Sequence, residues 1–217
     1  MKKHTRHKEL ITYTYFNYDR WLQLMRRMGL DDNRKTFDDV ISLYAEKHRR
    51  YHNAMHIDAT LKHFDIVKEQ IQKPDLVELS LWFHDVIYQP FSKSNELDSA
   101  NYAVQFLQNN NVPSGVQRCV FDLIMATIHD AKTSSDDQAW LVDIDLSILG
   151  AKGDVYQKFS KGVRFEYRRV PFFLYKKKRK EVLNGFLQRD YIYFTRFFRE
   201  KFESQARSNM INEMQSL

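Results

Sequence analysis

The sequence predicts an all-α protein, and three observations carry that prediction. Turn formers are scarce, with 6 Gly and 4 Pro in 217 residues. A sandwich or a doubly wound sheet of this length needs more of them. Good helix formers (Leu, Lys, Gln, Glu, Arg, Met) are plentiful. Apolar residues also recur at helical spacing, as in Phe37, Val40, Ile41, Tyr44 and Ala45. A hydrophobic content of 43% with 14% aromatics supplies a substantial core and argues against disorder. The length suits one domain over residues 1–217, with a core at about 35–150 and a helical extension at about 151–217.

Each element follows from local chemistry. Residues 1–8 are basic and expected to fray. Trp21, Leu22, Leu24, Met25 and Met28 mark an amphipathic helix ending near Gly29, and 31–33 is a loop. The Phe37 to Ala45 stripe is the second helix, and a third runs from about Asn53 to Gln72. Pro74 opens a fourth, expected to carry His84 and Asp85. After a loop at 89–94, Ser94 precedes a helix of about 15 residues through Leu97, Ala100, Ala103, Val104 and Leu107. Residues 109–114 end it, and a helix from Gly115 to His129 follows. Residues 130–137 read as a polar loop of the kind that rims a site. In 140–149, Val142, Ile144 and Leu146 alternate like a strand, but Leu149 and the all-α context favour a helix. Two or three longer helices cover Asp154 to Met214.

Several function classes recede on composition. Cys119 is the single cysteine, so no internal disulfide forms. Its apolar helical neighbours predict a buried structural thiol in a reducing compartment. The apolar run Leu10–Phe16 is too short and polar for a signal or a membrane span, so a cytoplasmic protein with no membrane partner is expected. The net charge of +6 is uneven, for residues 161–180 carry nine Lys/Arg against Glu166 alone. That stretch is either a solvated helix face or an electropositive surface for anionic ligands.

Chemistry concentrates at His84-Asp85, inside the apolar run Leu79-Ser80-Leu81-Trp82-Phe83-His84-Asp85-Val86-Ile87-Tyr88. An ionised Asp there costs several kcal/mol unless compensated, and a divalent cation is the most direct compensation. His52 and His56, four apart, share a face if helical, with His63 seven residues on. Asp143 or Asp145 can supply a closing carboxylate. Asp143 also suits an N-cap for a following helix, which leaves Asp145 the better ligand. Two imidazoles and two carboxylates suit one divalent ion: Mn, Fe, Co, Ni or Mg, with Zn admissible.

The arrangement His…His-Asp…Asp on successive helices resembles the HD-domain superfamily of metal-dependent phosphohydrolases, and more narrowly its stand-alone bacterial group. The matching segments are Arg50-Tyr51-His52-Asn53-Ala54-Met55-His56-Ile57, Leu81 to Tyr88, Asn95-Glu96-Leu97-Asp98-Ser99-Ala100, and Ala126-Thr127-Ile128-His129. Asp143-Ile144-Asp145-Leu146-Ser147-Ile148-Leu149-Gly150 and Arg164-Phe165-Glu166-Tyr167 complete them, over roughly residues 20–210. The resemblance implies an HD-domain-like helical bundle with additional N- and C-terminal helices. It implies metal ligation by His56, His84, Asp85 and Asp145, with His52 competing for the first position or facing substrate.

The resemblance also implies that Glu96 positions or deprotonates the attacking water, although a first-turn Glu also suits its own helix dipole. His129, Arg50, Lys93 and Arg164 are candidates for phosphoryl contacts, and His129 equally suits a helix C-terminus. Arg164 and Glu166 are two apart and do not face each other on a helix. One metal per chain is expected, since no further His pair follows His129.

The expected activity is hydrolysis of a small phosphorylated metabolite, foremost a nucleotide phosphoester, by a monomer or homodimer. Three alternatives stand beside it. One is a binding or regulatory module of the same fold. Another is an RNA-associated protein using 161–180, with Phe165, Tyr167, Phe172, Phe173 and Tyr175 stacking on bases, although Phe172 and Tyr175 equally suit a buried stripe. The last is a two-iron oxygenase, which needs a richer ligand set.

Overall fold

The computed structural model describes residues 13–128 and 133–217, and among these every regular element is helical. The α-helices are α1 (Tyr18–Arg27), α2 (Arg34–Tyr44), α3 (Ala54–Val67), α4 (Pro74–Phe83), α5 (Asn95–Asn109), α6 (Ser114–Met125), α7 (Asp136–Asp145), α8 (Gly153–Glu166), α9 (Phe172–Leu187) and α10 (Arg196–Ser216). Short 3-10 turns follow α3 (Lys68–Gln70), α6 (Ala126–Ile128) and α7 (Leu146–Gly150).

Local chemistry sets the ends. Asn17 caps α1 by accepting from Arg20 N at 3.0 Å, and Gly29 leaves it with φ +69°. Asn53 caps α3 through Met55 N at 2.9 Å. Asn111, at φ 56°, turns the chain between α5 and α6. The 140–149 segment is helical, as α7 and its 3-10 extension.

The core is built on aromatic rings. Trp82 of α4 sits against Phe16 at 4.6 Å and Trp21 at 5.3 Å between centroids, and Tyr44 of α2 donates its hydroxyl to Trp82 O at 3.0 Å. Arg20 forks onto Asp65 at 2.8 and 2.9 Å and reaches buried Glu78 at 2.6 Å, tying α1 to α3 and α4. Among the described residues, Trp82 Nε1 and Tyr175 OH are the buried side-chain polar atoms without a hydrogen-bond partner.

The C-terminal helices close around the turn that follows α7. Asp143 accepts from Phe194 N, Thr195 N and Thr195 Oγ1 at 2.7–2.8 Å. It lies inside α7 and holds the start of α10, so it is not the N-cap of the next helix. Asn209 donates to Leu149 O and Ala151 O at 2.8 Å, and Arg207 donates to the carbonyls of Leu187, Arg189 and Asp190. Gly150 is required here, since a Cβ would lie 2.6 Å from Phe202 Cβ and 2.8 Å from its carbonyl oxygen. Cys119 is half-buried at the edge of the core, more accessible than its neighbours predict.

Candidate metal centre

Three helix ends meet at one point. His56 sits in the first turn of α3. α4 stops at Phe83, one residue before the His-Asp pair, so His84 is its C-cap and Asp85 lies in the turn beyond. The expected helical placement of both fails because the carbonyls that would continue the helix are taken: Leu81 O lies 3.0 Å from His84 Nδ1, Trp82 O accepts from Tyr44 OH at 3.0 Å, and Phe83 O accepts from Val86 N at 3.0 Å. Buried Arg49 donates to Asp85 O at 2.6 Å, Val86 O at 2.8 Å and His52 O at 3.2 Å. Asp145 is the last residue of α7. His52 precedes α3, so its proximity to His56 comes from the turn at 50–53 and not from a shared helix face. His63 does lie on α3 but packs on Phe198 and Phe202 of α10, away from this point.

Four acceptor groups converge there. His56 Nε2 is 3.1 Å from His84 Nε2, 3.0 Å from Asp145 Oδ1 and 3.5 Å from Asp85 Oδ2. His84 Nε2 is 3.2 Å from Asp85 Oδ2 and 3.4 Å from Asp145 Oδ1. His56, His84 and Asp145 form the mutually close set, and Asp85 adds its carboxylate against both imidazoles. Bonds of about 2.0–2.2 Å to one cation put neighbouring ligand atoms about 3.0–3.5 Å apart, which is the spacing found.

The polarity fits as well. His84 Nδ1 lies 3.0 Å from Leu81 O, a group that only accepts. Nδ1 therefore carries the hydrogen, and in the neutral ring Nε2 turns a lone pair toward three other acceptors. Such a cluster needs a positive charge at its centre. Without one, protons serve. Burial alone would lower the His84 pKa, but Asp85 and Asp145 hold it well above the usual imidazole value. Asp85 moves the opposite way: burial would raise it, but His84, His52 and His56 hold it well below the usual carboxylate range.

A carboxylate not assigned from sequence organises the approach. Glu166, buried at the end of α8, accepts from Arg50 N and Tyr51 N at 2.7 Å and His52 N at 3.1 Å through Oε1. Its Oε2 takes His52 Nδ1 at 2.7 Å and Tyr88 OH at 2.9 Å. His52 also stacks on Tyr88, with centroids 4.1 Å apart. Burial works to lower the His52 pKa, yet Asp85 and Glu166 outweigh it and the pKa is raised.

The cluster opens into a cleft of about 470 Å³. Its polar floor includes His52, Asp85, Glu96 and Asp145; its walls include Leu149, Phe159, Val163 and Phe186. Lys178 and Arg179 bring positive charge to one wall. Glu96 is half-buried in the first turn of α5.

Three predicted cation contacts do not line this cleft. Arg50 is exposed with its guanidinium over Phe165, Lys93 is exposed in the loop before α5, and Arg164 donates to Tyr167 O and Val170 O. Asp143 is engaged with α10. His129 lies outside the described residues. Of the stretch 161–180, Tyr175 is buried while Phe172 and Phe173 are exposed, so Phe172 and Tyr175 do not form one buried stripe. No helix among the described residues is long and apolar enough to cross a membrane. Comparison of the chain with protein-family models, curated proteins and solved structures gave no match.

Proposed function

We propose that this chain is a metal-dependent phosphohydrolase with an HD-domain-like helical bundle. In this reading it acts on a small phosphorylated metabolite, foremost a nucleotide phosphoester. The observation that carries the reading is the convergence of His56, His84, Asp85 and Asp145 at 3.0–3.5 Å, with Asp85 and Asp145 lining a cleft large enough for such a molecule. These four side chains are assigned as the ligands of one divalent ion, Mn, Fe, Co, Ni, Mg or Zn. Such an ion supplies Lewis acidity, which eases deprotonation of water near neutral pH and offsets charge at phosphorus.

The rest of the work falls to the chain itself. Glu96, which lines the same cleft as Asp85 and Asp145, is assigned to orient the attacking water and take its proton. His52 is assigned as proton donor to the leaving oxygen. Its Nδ1 is committed to Glu166, so Nε2 is the ring nitrogen left for a ligand, and the buried Glu166 carboxylate favours the protonated ring. The apolar walls exclude water from the leaving group.

The test is metal content of protein purified without chelator, with turnover of a phosphate-ester panel on metal-loaded and metal-free samples. About one ion per chain, with phosphate release that needs it and disappears in Asp85→Ala, is expected. Absence of binding on metal add-back removes the proposal.

One observation supports a second reading. Phe172 and Phe173 are exposed beside the basic residues of α9, a combination suited to stacking on RNA. Salt-sensitive RNA binding that survives His84→Ala selects it.

A further inference from the structure

The wall of the cleft formed by α9 is more specialised than a solvated basic face. Arg179 is the fourth cation of a Lys-Lys-Lys-Arg-Lys run from 176 to 180, yet its side chain is only 10% exposed. It forks onto Glu213 of α10, with Nε to Oε1 at 2.8 Å and Nη2 to Oε2 at 3.0 Å. Glu213 also accepts from Tyr156 OH at 2.6 Å and Ser160 Oγ at 2.9 Å, so both its oxygens are saturated and the guanidinium is fixed in place. The guanidinium carbon lies 5.3 Å from the ring centroid of Phe159, another cleft residue. Arg179 Nη1 has no acceptor among the described residues.

A second, independent observation sits one turn away. Tyr175 precedes Arg179 by four residues on α9, shares its face and lines the same cleft. Its hydroxyl is buried and has no hydrogen-bond partner among the described residues. Two donors without protein acceptors thus stand side by side, and Lys178 adds charge at the rim. Arg179 packs on Phe159, which packs on Tyr51, which packs on His56, and Arg179 is not among the residues of the metal cluster.

We propose that Arg179 and Tyr175 form an anion subsite at the α9 end of the cleft, which receives a second phosphate or carboxylate group of the substrate. The substrate class is thereby narrowed to phosphoesters bearing a further anionic group beyond the scissile phosphate. That the bound group belongs to a substrate rests on the hydrolase reading; the subsite itself does not.

The experiment is calorimetric titration of inorganic phosphate into metal-free full-length protein. Wild type is expected to bind phosphate without metal. Arg179→Lys keeps the charge and a contact to Glu213 but loses the planar fork, and is expected to weaken phosphate at least about tenfold. Tyr175→Phe should weaken it by about threefold to tenfold without lowering the melting temperature. Glu213→Gln keeps one acceptor oxygen but faces the other donors with an NH2 group, so it should free the guanidinium from its fork and weaken phosphate several-fold. Metal titration of each variant reads the other site separately. Unchanged phosphate affinity in both Arg179→Lys and Tyr175→Phe overturns the subsite, as does phosphate binding that appears only after metal is added. Loss of metal-dependent turnover with phosphate binding intact counts against the hydrolase reading alone.

Discussion

Glu166 and His52 are 114 residues apart in sequence, yet Oε2 of one accepts a 2.7 Å hydrogen bond from Nδ1 of the other. The same carboxylate collects the backbone N–H groups of residues 50–52 and the Tyr88 hydroxyl. One buried side chain at the end of α8 thus shapes the turn before α3 and orients the imidazole at the cleft floor. Burial would raise its pKa, but His52 and the backbone donors bring it down to about 2.

Removing this carboxylate orphans five donors at once. Glu166→Ala should cost about 3–5 kcal/mol of stability, because buried donors lose their partner and the raised-pKa His52 loses its counter-charge. Glu166→Gln keeps one acceptor oxygen for the backbone and should cost less. Denaturant titration of both variants checks this, and an Ala variant as stable as wild type contradicts it.

The two nearby histidines should separate cleanly by phenotype. His52→Gln should retain metal, with turnover reduced about 10²–10⁴-fold, the usual worth of a positioned acid. His56→Gln should lose metal. Metal analysis beside single-turnover rates decides; undiminished turnover in His52→Gln removes its assigned role.

Metal should stabilise the fold because only folding brings the four side chains together around one ion, so binding favours the native state. At a free metal concentration of 100 times Kd the gain is about 2.7 kcal/mol, read as a rise in melting temperature. The rise should vanish in Asp85→Asn and Asp145→Asn. An equal rise in both variants places the bound ion elsewhere.

Gly150 joins site geometry to packing. Its missing Cβ is what lets the turn after Asp145 lie against Phe202 of α10. Gly150→Ala should destabilise by about 1–3 kcal/mol, the cost of overpacking. Because the turn begins next to Asp145, metal affinity should fall as well. Calorimetric unfolding and metal titration test the two halves separately.

Those two contacts also mark where sequence reading stops. The helical elements are legible because apolar spacing and caps are local: the Phe37 to Tyr44 stripe and the Asn53 cap need no partner to be recognised. Residue type and order point to a cluster but leave His52 and His56 open; the set His56, His84 and Asp145 is what the resemblance implies, and these three come together. The end of α4 is not legible, since Leu79 to Tyr88 is one apolar run with no Gly or Pro. Its stop depends on Tyr44, on another helix, claiming the carbonyl of Trp82. Glu166 lies in a segment that carries the resemblance, but its partners at 50–52 and Tyr88 are not local, and Arg179 is hidden for the same reason. Nothing local separates Arg179 from Lys178; only Glu213, on another helix, does.

His63 provides a pH test away from the metal centre. It is packed against Phe198 and Phe202 where α3 meets α10, with Lys62 and Lys201 nearby. Burial first, and the two lysines second, lower its pKa from 6.5 to about 4. Between these values the unfolded chain binds a proton that the folded chain does not. Stability from this group is therefore full above about pH 6.5 and is lost as pH falls toward 4. The shift corresponds to up to about 3 kcal/mol at one such site. Carboxylates also titrate at the lower end of this window, so the comparison must be with a variant. His63→Leu keeps an apolar contact with the two rings and removes the titrating group. Its stability, measured by urea unfolding at half-unit steps from pH 7 to 4, should decline less steeply than wild type by about that amount. Parallel curves for the two proteins mean that protonation of His63 is not coupled to the α3–α10 contact.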